Sequence, residues 1–148
     1  MIEKIISYRG CFICGENNVI GLKLDFFFDR ENKTAWAEFI PGREHEGYRN
    51  LLHGGIISSL LDEVMAKAIL AEEIPVVTSR LTVEFKKPAL VGEKLRAEGW
   101  VTGHKSRAYF TAGKLLGFDG RVVAEASGVY IRAEGELIEL LSQSLSEK

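Results

Sequence analysis

A glycine pair and an aspartate stand out along one helix-forming run of the chain. Gly54 and Gly55 open the run, and Asp62 follows within a largely apolar segment. Because glycine has no Cβ atom, its backbone N–H group can approach a ligand closely. The first N–H groups of a helix also lack an intrahelical acceptor, and the helix dipole favours negative charge there. Such donors suit the oxyanion of an attacked carbonyl, so the run looks like half of an active site.

Helical periodicity separates Asp62 from its neighbour Glu63. At about 100° per residue, the apolar side chains of residues 56–70 form one contiguous arc. This predicted core face consists of Ile57, Leu60, Leu61, Val64, Met65 and Ala68. Asp62 lies outside it beside Ser58 and Ser59, whereas Glu63 lies next to a cationic partner, Lys67. Asp62 is therefore the better catalytic candidate, the alternative being a solvated aspartate of the polar face or a cap partner.

The length of the helix limits how these groups act together. An α-helix rises about 1.5 Å per residue, so Gly54 and Asp62 lie roughly 12 Å apart in one chain. That separation is too long for both to touch one carbonyl. If they act on a single group, two copies of the helix must run antiparallel, with the glycines of one subunit facing the aspartate of the other. The simplest such assembly is a C2 homodimer with two equivalent sites.

Length and charge restrict the class of protein. The 148 residues fit a single domain, 1–148, and are enough to bury a core. The formal net charge of −2 argues against a nucleic-acid-binding protein, which usually carries a broad basic excess. The first residues lack the apolar region of a signal peptide, and no segment approaches the ~20 apolar residues that span a bilayer. These features predict a soluble cytoplasmic protein without nucleic-acid or membrane partners.

The only two cysteines, Cys11 and Cys14, form a Cys-x-x-Cys motif. Such a motif is either a redox pair or half of a zinc site. A structural zinc needs two further ligands, and His45 and His53 are the only histidines nearby in sequence. A redox pair usually accompanies a βαβ pattern, which this chain lacks. We therefore expect reduced, small thiols and no metal.

The remaining segments predict an antiparallel sheet around one helix. Residues 22–28 and 34–39 are rich in strand formers and flank a polar turn, which predicts a hairpin. The glycine-led helix should end near Ala71, before Pro75. Four strands are predicted at 76–86, 94–102, 107–116 and 121–131, followed by a short tail helix at 134–145. A sheet wrapped around one largely apolar central helix, in an α+β fold, is the predicted architecture.

One stretch of the sequence carries a family resemblance. His53-Gly54-Gly55 followed by Asp62, with Thr-Ser-Arg-Leu-Thr-Val-Glu-Phe-Lys-Lys-Pro at 78–88, resembles the hotdog-fold acyl-CoA thioesterases of the PaaI-like type. The likeness extends through 92–95 to 123–126 and covers about residues 11–132. It implies a hotdog fold, with a six-stranded antiparallel β-sheet wrapped around one long central α-helix. It also implies a homodimer, or a dimer of dimers that forms a homotetramer.

The resemblance implies roles for particular residues. Gly54 would donate its N–H group to the thioester carbonyl, with Gly55 close by. Asp62 of the partner subunit would be the general base or nucleophile, and Thr78 would assist the attacking water. Strict alternation places Thr78 on the strand face opposite Leu81, so a bulge or the start of the strand must reorient it.

Other side chains are expected around the bound substrate. His53 suits orienting the loop or capping a backbone group, while Ser58 and Ser59 suit lining the pocket or bonding backbone carbonyls. Some relatives carry an asparagine six residues before the histidine. Here Gly47 takes that position, and Asn50 is the nearest alternative in the sequence.

Basic residues are expected at the mouth of the pocket because coenzyme A carries phosphates. The candidates are Lys86, Lys87, His104, Lys105 and Arg107. The alternative for each is an ordinary surface side chain. The chain lacks a Walker loop and a dinucleotide fingerprint, so no cofactor is expected beyond coenzyme A as part of the substrate.

These observations predict an enzyme that hydrolyses an acyl-CoA thioester to a free acid and coenzyme A. The parts suit that chemistry, because the carbonyl needs oxyanion donors and a carboxylate either activates water or attacks directly. A non-catalytic acyl-CoA-binding protein with the same cleft is the second hypothesis. Hydration of an enoyl-CoA is the third, although the Asp and His pair expected for it is not visible.

Overall fold

Seven strands and two α-helices follow one another along the chain in the computed structural model, which describes residues 1–146. The strands are β1 (Ile2–Lys4), β2 (Phe27–Asp29), β3 (Thr34–Phe39), β4 (Val76–Phe85), β5 (Leu95–Lys105), β6 (Ala108–Leu116) and β7 (Val122–Arg132). The α-helices are α1 (Gly54–Leu70) and α2 (Glu136–Ser146), and a short 3-10 helix spans Arg43–His45. Neither α-helix of the described residues is long and apolar enough to cross a membrane.

The strands form one antiparallel sheet in the order β1-β2-β3-β5-β6-β7-β4. It curves around α1, which contacts β3, β4, β5, β6 and β7. The predicted α+β hotdog architecture is therefore confirmed. The sequence predicts six strands, and the seventh is β1, a three-residue strand that pairs with β2 at the edge of the sheet. A strand of three residues is too short to give an alternating pattern.

The predicted hairpin begins later than its sequence suggests. β2 starts at Phe27, so the prediction of a strand from residue 22 is wrong for residues 22–26. Their backbone groups pair elsewhere: Leu22 donates to the carbonyl of Phe12, and Leu24 donates to the carbonyl of Ile13, at 2.9 Å each. Backbone groups taken by this loop cannot also serve a sheet ladder.

Helix α1 supplies the core that the sheet encloses. The six residues of its predicted apolar arc are all buried, at 3% exposure or less. Apolar side chains of this kind contribute about 1.5–3 kcal/mol each when fully buried. The arc is thus the main surface that fixes the helix against the sheet, and with it the direction in which Asp62 points.

Two glycines let α1 lie close to the sheet. Gly99 on β5 and Gly113 on β6 are buried and directly opposite each other in the ladder. A Cβ atom on Gly99 would lie 2.9 Å from the carbonyl oxygen of Val64, and one on Gly113 would lie 3.1 Å from Cγ of Met65. Any larger side chain at Gly99 would have to push against helix backbone rather than a movable side chain.

We predict that Gly99→Ala destabilises the fold by about 1–3 kcal/mol, because the added methyl group overpacks a rigid contact. Urea unfolding followed by circular dichroism measures this change. Gly103→Ala is the matched control on the same strand, since a Cβ atom there meets no atom within 4 Å. Equal stability of the two variants would show that α1 does not depend on this close approach.

Candidate active site

Hydrogen bonds hold one of the two oxygen atoms of the Asp62 carboxylate, Oδ1. Thr78 donates from Oγ1 to Asp62 Oδ1 at 2.9 Å. The Tyr130 hydroxyl lies 2.9 Å from the same Oδ1 and 2.9 Å from the main-chain oxygen of Asp62, so its single proton is shared between them. Within residues 1–146, Oδ2 accepts no hydrogen bond. One carboxylate oxygen is therefore fixed in place, while the other is available for chemistry.

A β-bulge brings Thr78 to the carboxylate. Thr78 pairs with Tyr130 and Arg80 pairs with Val129, so β4 holds one extra residue between these positions. Of the two expected ways to reorient Thr78, a bulge or the start of the strand, the structure shows the bulge. It turns Thr78 to the side of the sheet on which α1 lies, and the hydroxyl reaches Asp62.

Tyr130 is a contact residue that the sequence analysis missed. Its side chain is fully buried, in an apolar strand between Val129 and Ile131. Burial raises the pKa of Tyr130 well above its ordinary value, and the charge of Asp62 raises it further. The phenol therefore stays protonated and remains a hydrogen-bond donor. One sequence signal could have identified Tyr130: it is a tyrosine in an apolar, buried strand, and a buried hydroxyl group needs a hydrogen-bond partner.

The start of α1 offers one free donor rather than two. His53 is the N-cap residue, and its Nδ1 accepts the N–H of Gly55 at 2.8 Å. The N–H groups of Ile56 and Ile57 both donate to the His53 carbonyl. Within residues 1–146, the Gly54 N–H has no acceptor. Of the two expected oxyanion donors, Gly54 is available in this chain and Gly55 is occupied.

The free Gly54 N–H belongs to a groove of about 660 Å³. The groove is lined by residues from the loop, from the start of α1 and from the segment after β4, including Tyr48, His53, Gly54, Phe85, Lys86 and Lys87. Gly47 also lines it, at the position where some relatives carry asparagine. Asn50 instead shapes the loop: its φ is 64°, and its N–H donates to Glu46 Oε2 at 2.6 Å.

The serines beside Asp62 use their hydroxyls within the helix. Ser58 donates to the carbonyl of Gly54 at 3.0 Å, and Ser59 donates to that of Gly55 at 2.9 Å. Backbone bonding was one of the two expected roles for this pair, and this is the one that the structure shows. Such bonds satisfy each hydroxyl locally, four residues back along the helix.

The basic candidates fall into two groups. Lys86 and Lys87 lie at the groove beside Gly54. Lys86 is 3.0 Å from Glu84, whose hydrogen bond and charge raise the pKa of Lys86. His104, Lys105 and Arg107 lie at the β5–β6 turn, next to the end of β7, where Arg132 donates to the carbonyl of Arg107.

Register links this second group to the Asp62 half of the chain. Thr78, Tyr130, Tyr109 and His104 stand directly opposite one another across β4, β7, β6 and β5. His104 stacks on Tyr109, with 5.2 Å between the ring centroids. Arg107 lies 3.2 Å from Glu134. Lys86 and Lys87 therefore lie beside Gly54, whereas His104 lies in the register row of Thr78, three strands and about 14 Å away from it.

The side chain of Glu63 points toward the loop that carries Cys11 and Cys14, which we call the cysteine loop, and not toward Lys67. The predicted ion pair between the two is wrong, because Lys67 Nζ donates to the carbonyl of Ile6 at 2.5 Å. The thiol of Cys11 donates to Glu63 Oε2 at 3.6 Å, and the ligand atoms of Cys11, Cys14 and Glu63 all lie within 4.8 Å of one another. Burial raises the pKa of Glu63 to about 7. These three side chains are the group within residues 1–146 that could hold a metal ion.

Comparison with known proteins identifies the family of this chain. The family model described as the thioesterase superfamily matches residues 49–124, which is half of the chain. The matched region contains Gly54, Asp62 and Thr78, and ends before Tyr130. The acyl-coenzyme A thioesterase THEM4 of Xenopus laevis is 25% identical over 114 residues, covering 76% of this chain and 51% of that protein. The chain spans about half to two thirds of the length of the curated relatives that it matches.

Solved structures share the fold. The PaaI protein of Escherichia coli, from the phenylacetic acid degradation operon, superposes with a TM-score of 0.70 at 22% identity, covering 77% of this chain and 82% of that one. A protein of Streptococcus pneumoniae described as a hypothetical thioesterase, solved with coenzyme A, superposes with a TM-score of 0.66 at 15% identity, covering 68% of this chain and 81% of that one.

We predict that His53→Ala lowers stability by about 0.5–2 kcal/mol, because it removes the side-chain acceptor that caps α1. The thermal midpoint measured by circular dichroism reports this loss. His53→Asn keeps a short polar acceptor at the cap and should retain the parent midpoint. If alanine and asparagine lower the midpoint equally, the histidine does not serve as a cap.

Proposed function

Because this chain belongs to the thioesterase superfamily, we propose that it hydrolyses an acyl-CoA thioester to a free acid and coenzyme A. The observation that carries the proposal is the Asp62 carboxylate, which is fixed at Oδ1 by two hydroxyl groups and open at Oδ2. Two comparisons support the substrate class: the Xenopus relative is named an acyl-coenzyme A thioesterase, and the hypothetical thioesterase of Streptococcus, which has the same fold, was solved with coenzyme A.

Asp62 supplies the reactive oxygen in this proposal. Oδ2 either takes a proton from a water molecule that attacks the thioester carbonyl, or attacks the carbonyl carbon itself. In the first route, water adds to the carbonyl carbon, the carbon–sulfur bond breaks, and the proton taken by Asp62 passes to the leaving sulfur to give coenzyme A. In the second route, the carbon–sulfur bond breaks as an anhydride forms between the acyl group and Asp62, and coenzyme A leaves as the thiolate. Water then hydrolyses the anhydride, which frees the acid and Asp62 and supplies the proton for the thiolate. Thr78 and Tyr130 keep the carboxylate in one orientation, so little rearrangement is needed to reach the transition state.

Gly54 supplies the oxyanion donor, and it must come from a second subunit. Its free N–H carries the partial positive charge of a helix start, which suits the negative oxygen of the transition state. Within one chain, the rise of α1 places Gly54 roughly 12 Å from Asp62. The proposed site therefore pairs Asp62 of one subunit with Gly54 of its partner.

The free edge of β4 is a suitable surface for this dimer. β4 has ten residues, and among residues 1–146 it pairs with β7 on one side only. Val77 and Phe85 on this strand are 36% and 56% exposed. A long edge strand with exposed apolar side chains invites pairing with another chain. Antiparallel pairing of two β4 strands about a twofold axis brings the start of one α1 toward Asp62 of the other.

The same dimer accounts for the separated basic residues. Lys86 and Lys87 accompany Gly54, whereas His104 shares a register row with Thr78, and Lys105 and Arg107 follow it at the β5–β6 turn. A site made of Gly54 from one subunit and Asp62 from the other brings both groups to one mouth. Positive charge on both sides of that mouth suits the phosphates of coenzyme A.

We predict that Asp62→Asn lowers acyl-CoA hydrolysis by about 10²–10⁴-fold, the usual contribution of a positioned acid–base group. Short, long and aromatic acyl-CoAs should be tested by chromatographic detection of released coenzyme A, because thiol reagents would also react with Cys11 and Cys14. Asp25→Asn is the matched control, since this exposed aspartate pairs with Lys4 on the surface.

Two results would contradict the proposal. If the parent protein binds acyl-CoA but releases no coenzyme A from any member of the panel, the chain is a binding protein and not a hydrolase. If Asp62→Asn hydrolyses as fast as the parent, another group performs the chemistry.

We also predict that Tyr130→Phe lowers kcat by about 10–100-fold with little change in KM, because it removes a hydrogen bond to a charged group worth about 1.5–3 kcal/mol. Tyr109→Phe is the matched control on the neighbouring strand, since its hydroxyl makes no hydrogen bond within residues 1–146. Parent kcat in Tyr130→Phe would show that Thr78 alone is enough to orient Asp62.

A further inference from the structure

The cysteine loop and α1 bring three metal-binding side chains together. Cys11 and Cys14 come from the loop, Glu63 comes from the helix 52 residues later than Cys11, and their ligand atoms all lie within 4.8 Å of one another. A tetrahedral zinc ion with bonds of about 2.3 Å to sulfur and 2.0–2.2 Å to oxygen needs its ligand atoms about 3.6–3.8 Å apart. Cys11 Sγ and Glu63 Oε2 are already 3.6 Å apart. Shifts of about 1 Å at most would complete the geometry.

The backbone around Cys11 is arranged to support a sulfur ligand. The N–H groups of Ile13 and Cys14 both donate to Cys11 Sγ at 3.4 Å. Hydrogen bonds to a sulfur favour its deprotonated form, which is the form that binds metals. Gly15 closes this turn by donating to the Cys11 carbonyl at 2.9 Å, and a Cβ atom on Gly15 would lie 2.5 Å from the Cys11 nitrogen. The tight turn therefore requires glycine directly after the second cysteine.

The charges of the cluster suit a divalent cation. Glu63 is partly buried, and no cationic side chain within residues 1–146 forms an ion pair with it. Lys67 is close enough to act electrostatically on Cys11 and Glu63, but its ammonium group is bonded to the Ile6 carbonyl. Two thiolates and one carboxylate around a divalent ion leave one net negative charge. Lys67 would offset that charge without occupying the site.

We propose that Cys11, Cys14 and Glu63 bind one divalent cation of the zinc class, with a fourth coordination position left for water or a small ligand. Sulfur and carboxylate donors in a four-coordinate arrangement are typical of zinc. Binding releases the two thiol protons to solvent. A cavity of about 360 Å³ beside the cluster, lined in part by Leu70 and by Leu141 of α2, leaves room for the fourth ligand.

The metal would join the N-terminal loop to α1 immediately beside Asp62. It would therefore hold the helix in place about 100° around its axis from Asp62, which Thr78 and Tyr130 contact. This inference does not depend on the proposed hydrolysis, since Glu63 and Asp62 belong to different clusters.

The test is metal binding by the intact protein, purified under reducing conditions, stripped with a chelator and titrated with Zn²⁺ or Co²⁺. We expect one ion per chain, a thiolate-to-cobalt charge-transfer band, and a higher thermal midpoint with zinc. Cys14→Ser should lose the charge-transfer band or most of its intensity. Glu63→Gln should weaken binding by on the order of 100-fold, because even outer-shell changes cost about 10–100-fold. Asp62→Asn is the matched control and should bind metal like the parent.

Three results would overturn the inference. One is less than stoichiometric binding by the parent protein with both thiols reduced. Another is unchanged affinity in Glu63→Gln, which would remove the third ligand. The last is formation of a Cys11–Cys14 disulfide with hydrogen peroxide at the same rate with and without saturating Zn²⁺, which would show that zinc is not bound by these thiols. Asp62→Asn removes the proposed catalytic group but none of the three proposed metal ligands. Failure of metal binding would therefore leave the proposed hydrolysis intact, and failure of hydrolysis would leave the proposed metal site intact.

Discussion

The rise of α1 between Gly54 and Asp62 is the constraint on which the proposed mechanism depends. A free backbone donor at the helix start and a fixed carboxylate two turns later are roughly 12 Å apart, whereas both must lie within hydrogen-bonding distance of one substrate carbonyl. A twofold pair of antiparallel helices removes this conflict. It also gives the exposed edge of β4 a partner and brings the two basic groups to one mouth.

The orientation of Asp62 depends on contacts from two strands, β4 and β7. The bulge in β4 turns Thr78 inward, and β7 places the buried hydroxyl of Tyr130 on the same carboxylate oxygen. Both contacts require that α1 lie close to the sheet, which the glycine pair Gly99 and Gly113 permits. The carboxylate is thus positioned by the packing of the core rather than by a surface loop. The neighbouring Glu63 points away from it, toward the cysteines.

Sequence reasoning succeeded where the signal is local and periodic. The buried face of α1 and the four long strands after it follow from spacing along the chain, whereas the role of Thr78 came from the family resemblance. Tyr130 lies 68 residues from Asp62, and Glu63 lies 52 residues from Cys11, so no local pattern links them. The expected pairing of Glu63 with Lys67 failed because the lysine reaches Ile6, in a segment that the helical pattern does not include.

The most direct test of the shared site is complementation between two inactive subunits, Asp62→Asn and Gly54→Pro. Proline at the first helical position removes the N–H without breaking the helix, and the backbone of His53, with φ of −62° and ψ of 133°, suits a following proline. Differently tagged subunits are co-expressed, and the mixed dimers are isolated. A shared site predicts about half of the parent activity, since one of the two sites is intact. Inactive mixed dimers would place the whole site in one chain, contrary to this account.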